Sequence, residues 1–233
     1  MTLRAQKTAP GGVLPDNRFL VQIPWKSPRD ISLDGPIDWS AVFERDAPLR
    51  VEIGFGKSEF LMDVATREPS FNYVGFEYST KRVGAFLRKL ERRGIENVRA
   101  INENALQVLP HIFTPGSLDR LYVLFPDPWP KKRHAKHRLI QEKNVELFAD
   151  LLREGGGLSL RTDAPHYARQ MLDTVDASPR FHGLQSKGQF ALRPRDAIQT
   201  LYQAKFVRAG RSIYYLEYDK SDERGQNGQS SHT

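Results

Sequence analysis

Residues 121–134 read LYVLFPDPWPKKRH, a strand that turns abruptly into a loop of unusual chemistry. The apolar run 121–125 predicts a buried strand, and Pro126 ends it because proline cannot continue a sheet ladder. Further prolines restrict the backbone around Asp127 and Trp129. Such a stiff loop suits a flat polar ring, which Trp129 could stack on while Asp127 bonds its edge. A solvated turn is the plain alternative, and this combination of residues disfavours it.

The residues after this loop are strongly basic. Region 131–138 holds three lysines, two arginines and two histidines, a density that suits a polyanion such as a nucleic acid. The net charge of +7 also favours an anionic partner. Two further basic clusters lie at 81–93 and 193–211. We interpret the first as a solvated helix face and place the second beside the Asp127 loop.

Composition excludes several classes of protein. The chain has no cysteine, which rules out disulfides, cysteine-ligated zinc and thiol nucleophiles, and we expect no metal site. The first twelve residues lack the apolar region of a signal peptide. No apolar run reaches the length of a membrane span. We therefore expect a cytoplasmic protein that does not bind membranes.

Strands alternate with helices from residue 45 onward. This order indicates an α/β fold with a doubly wound, mostly parallel sheet. We expect a flexible arm and lead-in over 1–44, with a short helix from Asp38, one domain over 45–218, and a disordered tail over 219–233. The predicted strands are 49–53, 71–76, 97–101, 120–125, 158–160 and 212–218. The predicted helices are 57–67, 79–94, 105–109, 138–153, one beginning at Pro165, and one near 198–207.

In a doubly wound sheet the ligand lies at the carboxyl ends of the strands. The first strand ends in Gly54-Phe55-Gly56, where a ligand can approach the backbone closely. A dinucleotide-binding loop would need glycine at 59, and a Walker A loop would need glycine at 51; the chain has Glu59 and Val51 there. The cofactor is therefore expected to lack a phosphate group at this turn.

Two polar residues follow the next strands. Glu77 can accept hydrogen bonds from both hydroxyls of a ribose. Asn104 could address an adenine edge through its amide, or could simply cap the next helix. Glycine loop, carboxylate and amide together describe a pocket for an adenosyl group with a tail that carries no phosphate. S-adenosylmethionine fits that description.

Five stretches resemble, in order, the motifs of the TrmB family of tRNA (guanine-N7)-methyltransferases, and the resemblance covers about 45–218. The most specific is PDPWPKKRH. All five are Val51 to Leu61, Gly75-Phe76-Glu77, Phe125 to His134, Thr162-Asp163, and Thr200-Leu201-Tyr202-Gln203. Two residues depart from the family pattern: Asn104 stands where many relatives have Asp, and Gln203 replaces the final Glu of TxxE.

The resemblance implies a Rossmann-like class I methyltransferase that uses S-adenosylmethionine and acts on guanine N7 in the variable loop of tRNA. It implies that Asp127 is catalytic and also contacts the cofactor. The other implied cofactor-binding residues are Glu52, Gly54, Gly56, Glu77 and Asn104. The implied substrate-binding residues are Lys131, Asp163, Thr200 and Gln203.

Two other functions remain open at this point. An enzyme that methylates amino groups of DNA or RNA also carries an Asp-Pro-aromatic loop after its fourth strand. A non-catalytic RNA-binding module could keep the same fold, although it would not need the glycines and Glu77. The sequence leaves the oligomeric state open between monomer and homodimer.

Overall fold

The structure is a computed structural model. It describes residues 14, 16–23, 25–27, 30–31, 35–57, 59–193, 195, 198 and 201–221. The chain divides into two compact units. The first comprises the described residues of Met1–Thr114 together with Ile198–Lys205, and the second those of Pro115–Ala197 together with Phe206–Thr233. Each unit is described by itself below.

The lead-in to the first unit contains the short strands β1 (Trp25–Ser27) and β2 (Asp30–Ile31) and the helix α1 (Trp39–Phe43). The predicted helix start at Asp38 is confirmed, since its carboxylate accepts from the N–H groups of Ser40 and Ala41 at 3.1 and 3.2 Å. Buried Phe19 accepts a backbone hydrogen bond from Ala100 at 2.7 Å. The arm before residue 14 lies outside the described residues.

The first unit is built on three buried parallel strands, β3 (Leu49–Ile53), β4 (Asn72–Phe76) and β5 (Val98–Ile101), in the order β5-β4-β3. Val51 pairs with Val74, and Gly75 with Ala100. Because the strands are parallel, their carboxyl ends share one edge. The helices of the unit are α2 (Phe60–Arg67), α3 (Thr80–Arg93) and α4 (Ala105–Ile112).

The helix α3 follows its sequence pattern closely. It buries four apolar residues at helical spacing, namely Val83, Phe86, Leu87 and Leu90. Gly94 ends it with φ of +63°, the left-handed conformation that glycine adopts most readily. Ser79 occupies the N-cap position as predicted, but its side chain makes no capping hydrogen bond.

The second unit contains β6 (Leu118–Leu124), a 3₁₀ turn (Lys132–His137), α5 (Glu142–Leu151), β7 (Leu152–Thr162), α6 (Pro165–Asp176), β8 (Phe181–Gly183) and β9 (Tyr214–Lys220). Strand β6 is parallel to β7, whereas β9 is antiparallel to both β7 and β8. The helix α7 (Leu201–Arg208) begins in the first unit and ends in the second.

Several elements of the second unit differ from the predictions; α5, for example, begins at Glu142 instead of residue 138. Strand β7 begins at Leu152, where a helix was predicted to continue, and includes the three glycines that come before the predicted strand 158–160. Strand β8 lies within 178–197, where no strand or helix was predicted. Strand β9 extends past 218, and Lys220 is buried with its ammonium donating to the carbonyl of Leu152 at 2.9 Å. Residues 219–220 are thus part of the sheet, and the rest of the predicted disordered tail, from 222, lies outside the described residues.

Among the described helices, none combines the length and apolar character needed to cross a membrane. The described part of the chain also contains no group of three or more histidine and acidic side chains arranged to hold a metal ion.

Candidate active site

The glycine loop after β3 is held by its middle residue. Phe55 is buried, and its ring stacks on Phe86 with centroids 4.2 Å apart. Gly54 and Gly56 flank Phe55 and have φ of +80° and +58°. Residues with a Cβ rarely adopt such backbone angles. The local sequence therefore anchors the loop in the core and turns the backbone of Gly54 outward, where a Cβ would meet no atom within 4 Å.

The carboxylate of Glu77 lies next to this loop and is buried. Its Oε2 accepts from the N–H of Gly56 at 2.9 Å, and its Oε1 accepts from the N–H of Ser79 at 2.7 Å. The guanidinium of Arg82 is 3.5 Å away. Asn102, which sequence reasoning missed, donates to the Glu77 carbonyl at 2.8 Å. Each carboxylate oxygen can accept more than one hydrogen bond, so Glu77 can still receive ribose hydroxyls.

The structure explains the acid at position 59. Lys89 and Arg93 of α3 both pair with Glu59. The Lys89 hydrogen bond lowers the pKa of Glu59 below its ordinary value. Part of the basic face of α3, interpreted as solvated, is thus committed to ion pairs. Glu59 serves to join α2 to α3 in the place where a phosphate-binding loop would carry glycine.

Asn104 caps α4, so the simpler of the two interpretations holds for its oxygen. Its Oδ1 accepts from the N–H of Leu106 at 3.1 Å, and the residue is exposed. Its NH₂ group carries two further donors for a ligand. Glu52 is 1% exposed within β3, so its carboxylate is shielded from bulk solvent. The cofactor roles of both residues stay predictions.

These residues fit an adenosyl cofactor. The outward backbone of Gly54 leaves open space at the end of β3, and the Glu77 carboxylate supplies the acceptors that a ribose needs. Gly75, in the neighbouring strand β4, leaves room for Phe55 to pack in the core. A Cβ at Gly75 would lie only 2.7 Å from side-chain atoms of Leu61 and Phe55.

The second unit carries the loop that follows β6. Phe125 and Trp129 have φ of +54° and +40°, which is uncommon for residues with side chains. Between them Asp127 is exposed, flanked by the half-buried Pro126 and Pro128. Backbone conformations of this kind cost roughly 1–3 kcal/mol and require support from their surroundings.

Trp129 is 37% exposed and lies against two histidines of the 3₁₀ turn. Its ring centroid is 5.8 Å from that of His134 and 5.3 Å from that of His137. These contacts hold the indole while leaving part of it open for stacking. Lys131, before the turn, is exposed, and its carbonyl accepts from the N–H of His134 at 2.8 Å. The prediction that Lys131 contacts substrate agrees with this exposure but is not tested by it.

Arg138 was grouped with the basic residues expected to face a polyanion, but its guanidinium is bonded within the protein. Its Nε donates to the carbonyl of Pro128 at 2.9 Å, and its Nη2 to that of Trp129 at 3.1 Å. Nη1 donates to Gln170 of α6 at 2.9 Å. The guanidinium also lies 5.1 Å from the centroid of the Tyr167 ring. Sequence analysis grouped Arg138 with the polyanion-binding cations and assigned no role to Gln170, because nothing local links residues 32 positions apart.

Asp163 binds a cation of its own chain. Arg211 donates to its carboxylate at 2.6 Å. Asp163 does not cap α6, because the cap position is Ala164. The local hydrogen bond there runs from the N–H of Ala164 to the hydroxyl of Thr162 at 3.2 Å. Arg211, one of the predicted polyanion contacts, is therefore partly neutralised.

Gln203, which belongs to α7, and Thr200 are the remaining predicted substrate contacts. Gln203 is 5% exposed, so its amide does not face bulk solvent. Thr200 lies outside the described residues. Neither prediction is tested by the structure.

Sequence relatives place this chain in a family. A family profile described as "Putative methyltransferase" matches residues 46–216. The tRNA (guanine-N(7)-)-methyltransferase of Pseudomonas aeruginosa strain UCBPP-PA14 is 38% identical over 185 residues, covering 79% of this chain and 76% of the relative. The chain belongs to this methyltransferase family. Another member, from Cupriavidus metallidurans, is 37% identical over 186 residues, with coverages of 79% and 71%. The resemblance to the TrmB family is thus confirmed.

Solved structures support the fold assignment. A 16S rRNA (adenine(1408)-N(1))-methyltransferase from Catenulisporales acidiphilia, solved with its cosubstrate SAM, gives a TM-score of 0.56 at 15% identity, covering 84% of this chain and 96% of that one. The 16S rRNA methyltransferase KamB gives 0.54 at 14% identity, with coverages of 81% and 96%. At these identities the likeness concerns the fold alone. The predicted Rossmann-like class I methyltransferase fold is confirmed.

Proposed function

We propose that this protein transfers the methyl group of S-adenosylmethionine to N7 of a guanine in the variable loop of tRNA. One observation carries the proposal: the loop after β6 presents an exposed carboxylate, Asp127, beside a partly open indole, Trp129, and a basic turn. Membership of the methyltransferase family, with relatives named as tRNA (guanine-N(7)-)-methyltransferases, supports it.

The first unit would hold the cofactor. The backbone of Gly54 and Gly56 leaves room for the methionine part, Glu77 accepts the ribose hydroxyls, and the NH₂ group of Asn104 addresses the adenine. Glu52 completes the proposed set from within β3. When bound, S-adenosylmethionine supplies a methyl group made electrophilic by its sulfonium.

The second unit would hold the guanine. N7 of guanine has a lone pair in the ring plane, so no base is needed to remove a proton before methylation. What the protein must supply is alignment and an environment that accepts the positive charge which the base acquires. Asp127 provides a fixed negative charge for that purpose, following the logic of preorganised electrostatic stabilisation. Trp129 offers a face for the base, which must leave its stack to be reached.

The basic turn would bind the RNA backbone. Lys131, Arg133 and Lys136 are exposed. Contacts to phosphates position a nucleic acid without reading its sequence. Asp163, Thr200 and Gln203 are also proposed to contact the substrate. For Asp163 this requires tRNA to compete with, or bind beside, its ion pair with Arg211. The cytoplasm is the proposed location, and a monomer or homodimer the proposed state.

Mass spectrometry of tRNA incubated with protein and S-adenosylmethionine tests the proposal. The expected product is 7-methylguanosine in a variable-loop fragment, formed by the wild-type protein and lost when the cofactor is omitted. A methyl group on an exocyclic amine would instead support an amino-methyltransferase. RNA binding without any methylation would support a binding module, and either result would refute the proposed reaction.

A further inference from the structure

We propose that Arg138 is a positioning residue that fixes the Asp127–Trp129 loop for methyl transfer, and that Gln170 and Tyr167 hold Arg138 in place. The inference rests on the proposed function for its chemical purpose. Its structural basis is independent of that function, because each contact involved is made within the second unit.

The loop needs support that its own sequence cannot give. Trp129 adopts a left-handed backbone conformation, which is unfavourable for a residue with a Cβ. The prolines of the loop have no N–H group and cannot donate a stabilising hydrogen bond. The loop can be fixed through its carbonyls, and those of Pro128 and Trp129 both receive hydrogen bonds from Arg138.

A guanidinium is well suited to this task. Its donors lie in one rigid plane, so that two adjacent carbonyls can be bound at once in a fixed relative orientation. The Nε···O and Nη2···O distances to Pro128 and Trp129 are 2.9 and 3.1 Å. The two carbonyls follow Asp127 directly in the chain. Fixing them fixes the direction in which the Asp127 side chain leaves the backbone.

Arg138 is itself held by α6 and the segment before α5. Gln170 accepts from its Nη1 at 2.9 Å and donates to the carbonyl of Ile140 at 2.6 Å. The buried Tyr167 packs its ring against the guanidinium and accepts from the N–H of Ile140 at 3.0 Å. Both Tyr167 and Gln170 lie on α6. Through Arg138 the loop is therefore anchored to a packed helix.

The consequence for catalysis is one of alignment. A displacement of about 1 Å in a reacting group can lower a rate by about 10²-fold. Asp127 is exposed, so its orientation depends on the backbone that carries it. Arg138 therefore acts on the rate through Asp127 and Trp129, without touching the reacting atoms itself.

The test compares Arg138→Ala, Arg138→Lys and Gln170→Ala with the matched control Arg169→Ala, which removes an exposed arginine from the same helix as Gln170. Methylation of tRNA is measured under single turnover and at steady state. Each protein is also labelled with fluorotryptophan. The chain has three tryptophans, so the ¹⁹F signal of Trp129 is assigned by its loss in Trp129→Phe, and that of Trp39 reports the core.

Arg138→Ala should lower kcat by about 10²-fold with the KM for tRNA changed by no more than about threefold. The Trp129 signal should move while the Trp39 signal stays in place. Arg138→Lys should recover part of the rate, because an ammonium can bind one carbonyl but lacks the planar fork. Gln170→Ala should move the Trp129 signal in the same direction by a smaller amount, and Arg169→Ala should change neither readout.

Two results would overturn the inference. One is an Arg138→Ala protein with an unmoved Trp129 signal, whatever its activity. The other is a raised KM for tRNA at unchanged kcat, which would make Arg138 a contact to RNA phosphate. If the wild-type protein fails to methylate tRNA, the proposed function falls. The Trp129 signal then still decides whether Arg138 fixes the loop.

Discussion

The N–H of Gly56 donates to the carboxylate of Glu77, with 2.9 Å between the nitrogen and Oε2. The two residues follow neighbouring parallel strands, β3 and β4. This bond joins the loop that would admit the cofactor to the acid that would bind its ribose. The protein thus fixes both groups relative to each other, which lowers the ordering cost of binding.

Replacing Glu77 with alanine should weaken S-adenosylmethionine binding by about 1.5–3 kcal/mol, the scale of hydrogen bonds to a charged group. The variant loses the proposed acceptor for the ribose and the bond to Gly56. Calorimetric titration measures the effect, with Glu91→Ala, an exposed acid of α3, as the control. Equal affinities for wild type and Glu77→Ala would remove Glu77 from the ribose site.

A pair of glycine variants separates loss of binding from loss of stability. Gly54 and Gly94 both have positive φ, and a Cβ at either would meet no atom within 4 Å. Alanine at each should therefore cost roughly 1–2 kcal/mol of stability from backbone strain. Only Gly54→Ala should also weaken cofactor binding, by about tenfold or more, because its methyl group would enter the proposed ligand space.

Thermal denaturation and calorimetry on the two glycine variants provide the comparison. Similar losses of stability with a lower affinity in Gly54→Ala alone would support the assignment of the loop. If both variants bind S-adenosylmethionine as the wild type does, the loop after β3 does not contact the cofactor.

Asp127→Ala should lower the single-turnover methylation rate by about 10²–10³-fold, the scale for losing one preorganised electrostatic group. Asp127→Asn should retain the fold and most tRNA binding but lose most of the rate, since it keeps the shape and removes the charge. Guanine N7 needs no general base, so the wild-type rate should vary little between about pH 6.5 and 8.5. An alanine variant within a few-fold of wild type would end the catalytic assignment.

Replacing Lys131 and Arg133 with alanine should weaken tRNA binding and flatten the plot of log K against log salt by about 1–2 units. Both side chains are exposed beside the Asp127 loop. The matched control removes Arg88 and Arg92, two exposed arginines of α3 that we interpret as solvated. Binding is measured by fluorescence anisotropy over a salt series. A slope changed as much by the control pair would mean that the basic turn has no special part in RNA binding.

Tyr167 should make the stability depend on pH at high pH. Burial raises its pKa to about 12, whereas an unfolded tyrosine titrates near 10. The folded state therefore holds the phenolic proton more tightly, and this stabilisation is complete below about pH 10 and lost as the pH rises toward 12. The stability difference between wild type and Tyr167→Phe should shrink by about 1–3 kcal/mol over that range.

Urea denaturation of both proteins between pH 9 and 12 measures that difference. The pKa of Tyr218 is also raised, chiefly by burial, but this residue is present in both proteins and its contribution cancels. A difference that stays constant over the range would show that the Tyr167 hydroxyl is not shielded from solvent in the way its burial indicates.

The sequence by itself determined the elements whose signals are local. The strand Leu49–Ile53 was predicted at its observed bounds, because apolar and charged residues that alternate and then meet a glycine turn are typical of a strand. The end of α3 at Gly94 follows from the left-handed conformation that glycine permits. By contrast β8 was not among the predicted strands, since a three-residue edge strand exists only through its pairing with β9.

The same division holds at the site. Residue type and place in the chain were enough to propose Glu77 and Asp127 as site residues, because each comes just after a predicted strand, where ligands bind in a doubly wound sheet. Which of the other polar groups are already engaged was decided only by the tertiary structure. Arg138 donates to Gln170 and Arg211 donates to Asp163, through hydrogen bonds that join residues 32 and 48 positions apart. The partners in such bonds are fixed by how strands and helices pack, and no local pattern of residues encodes that distance.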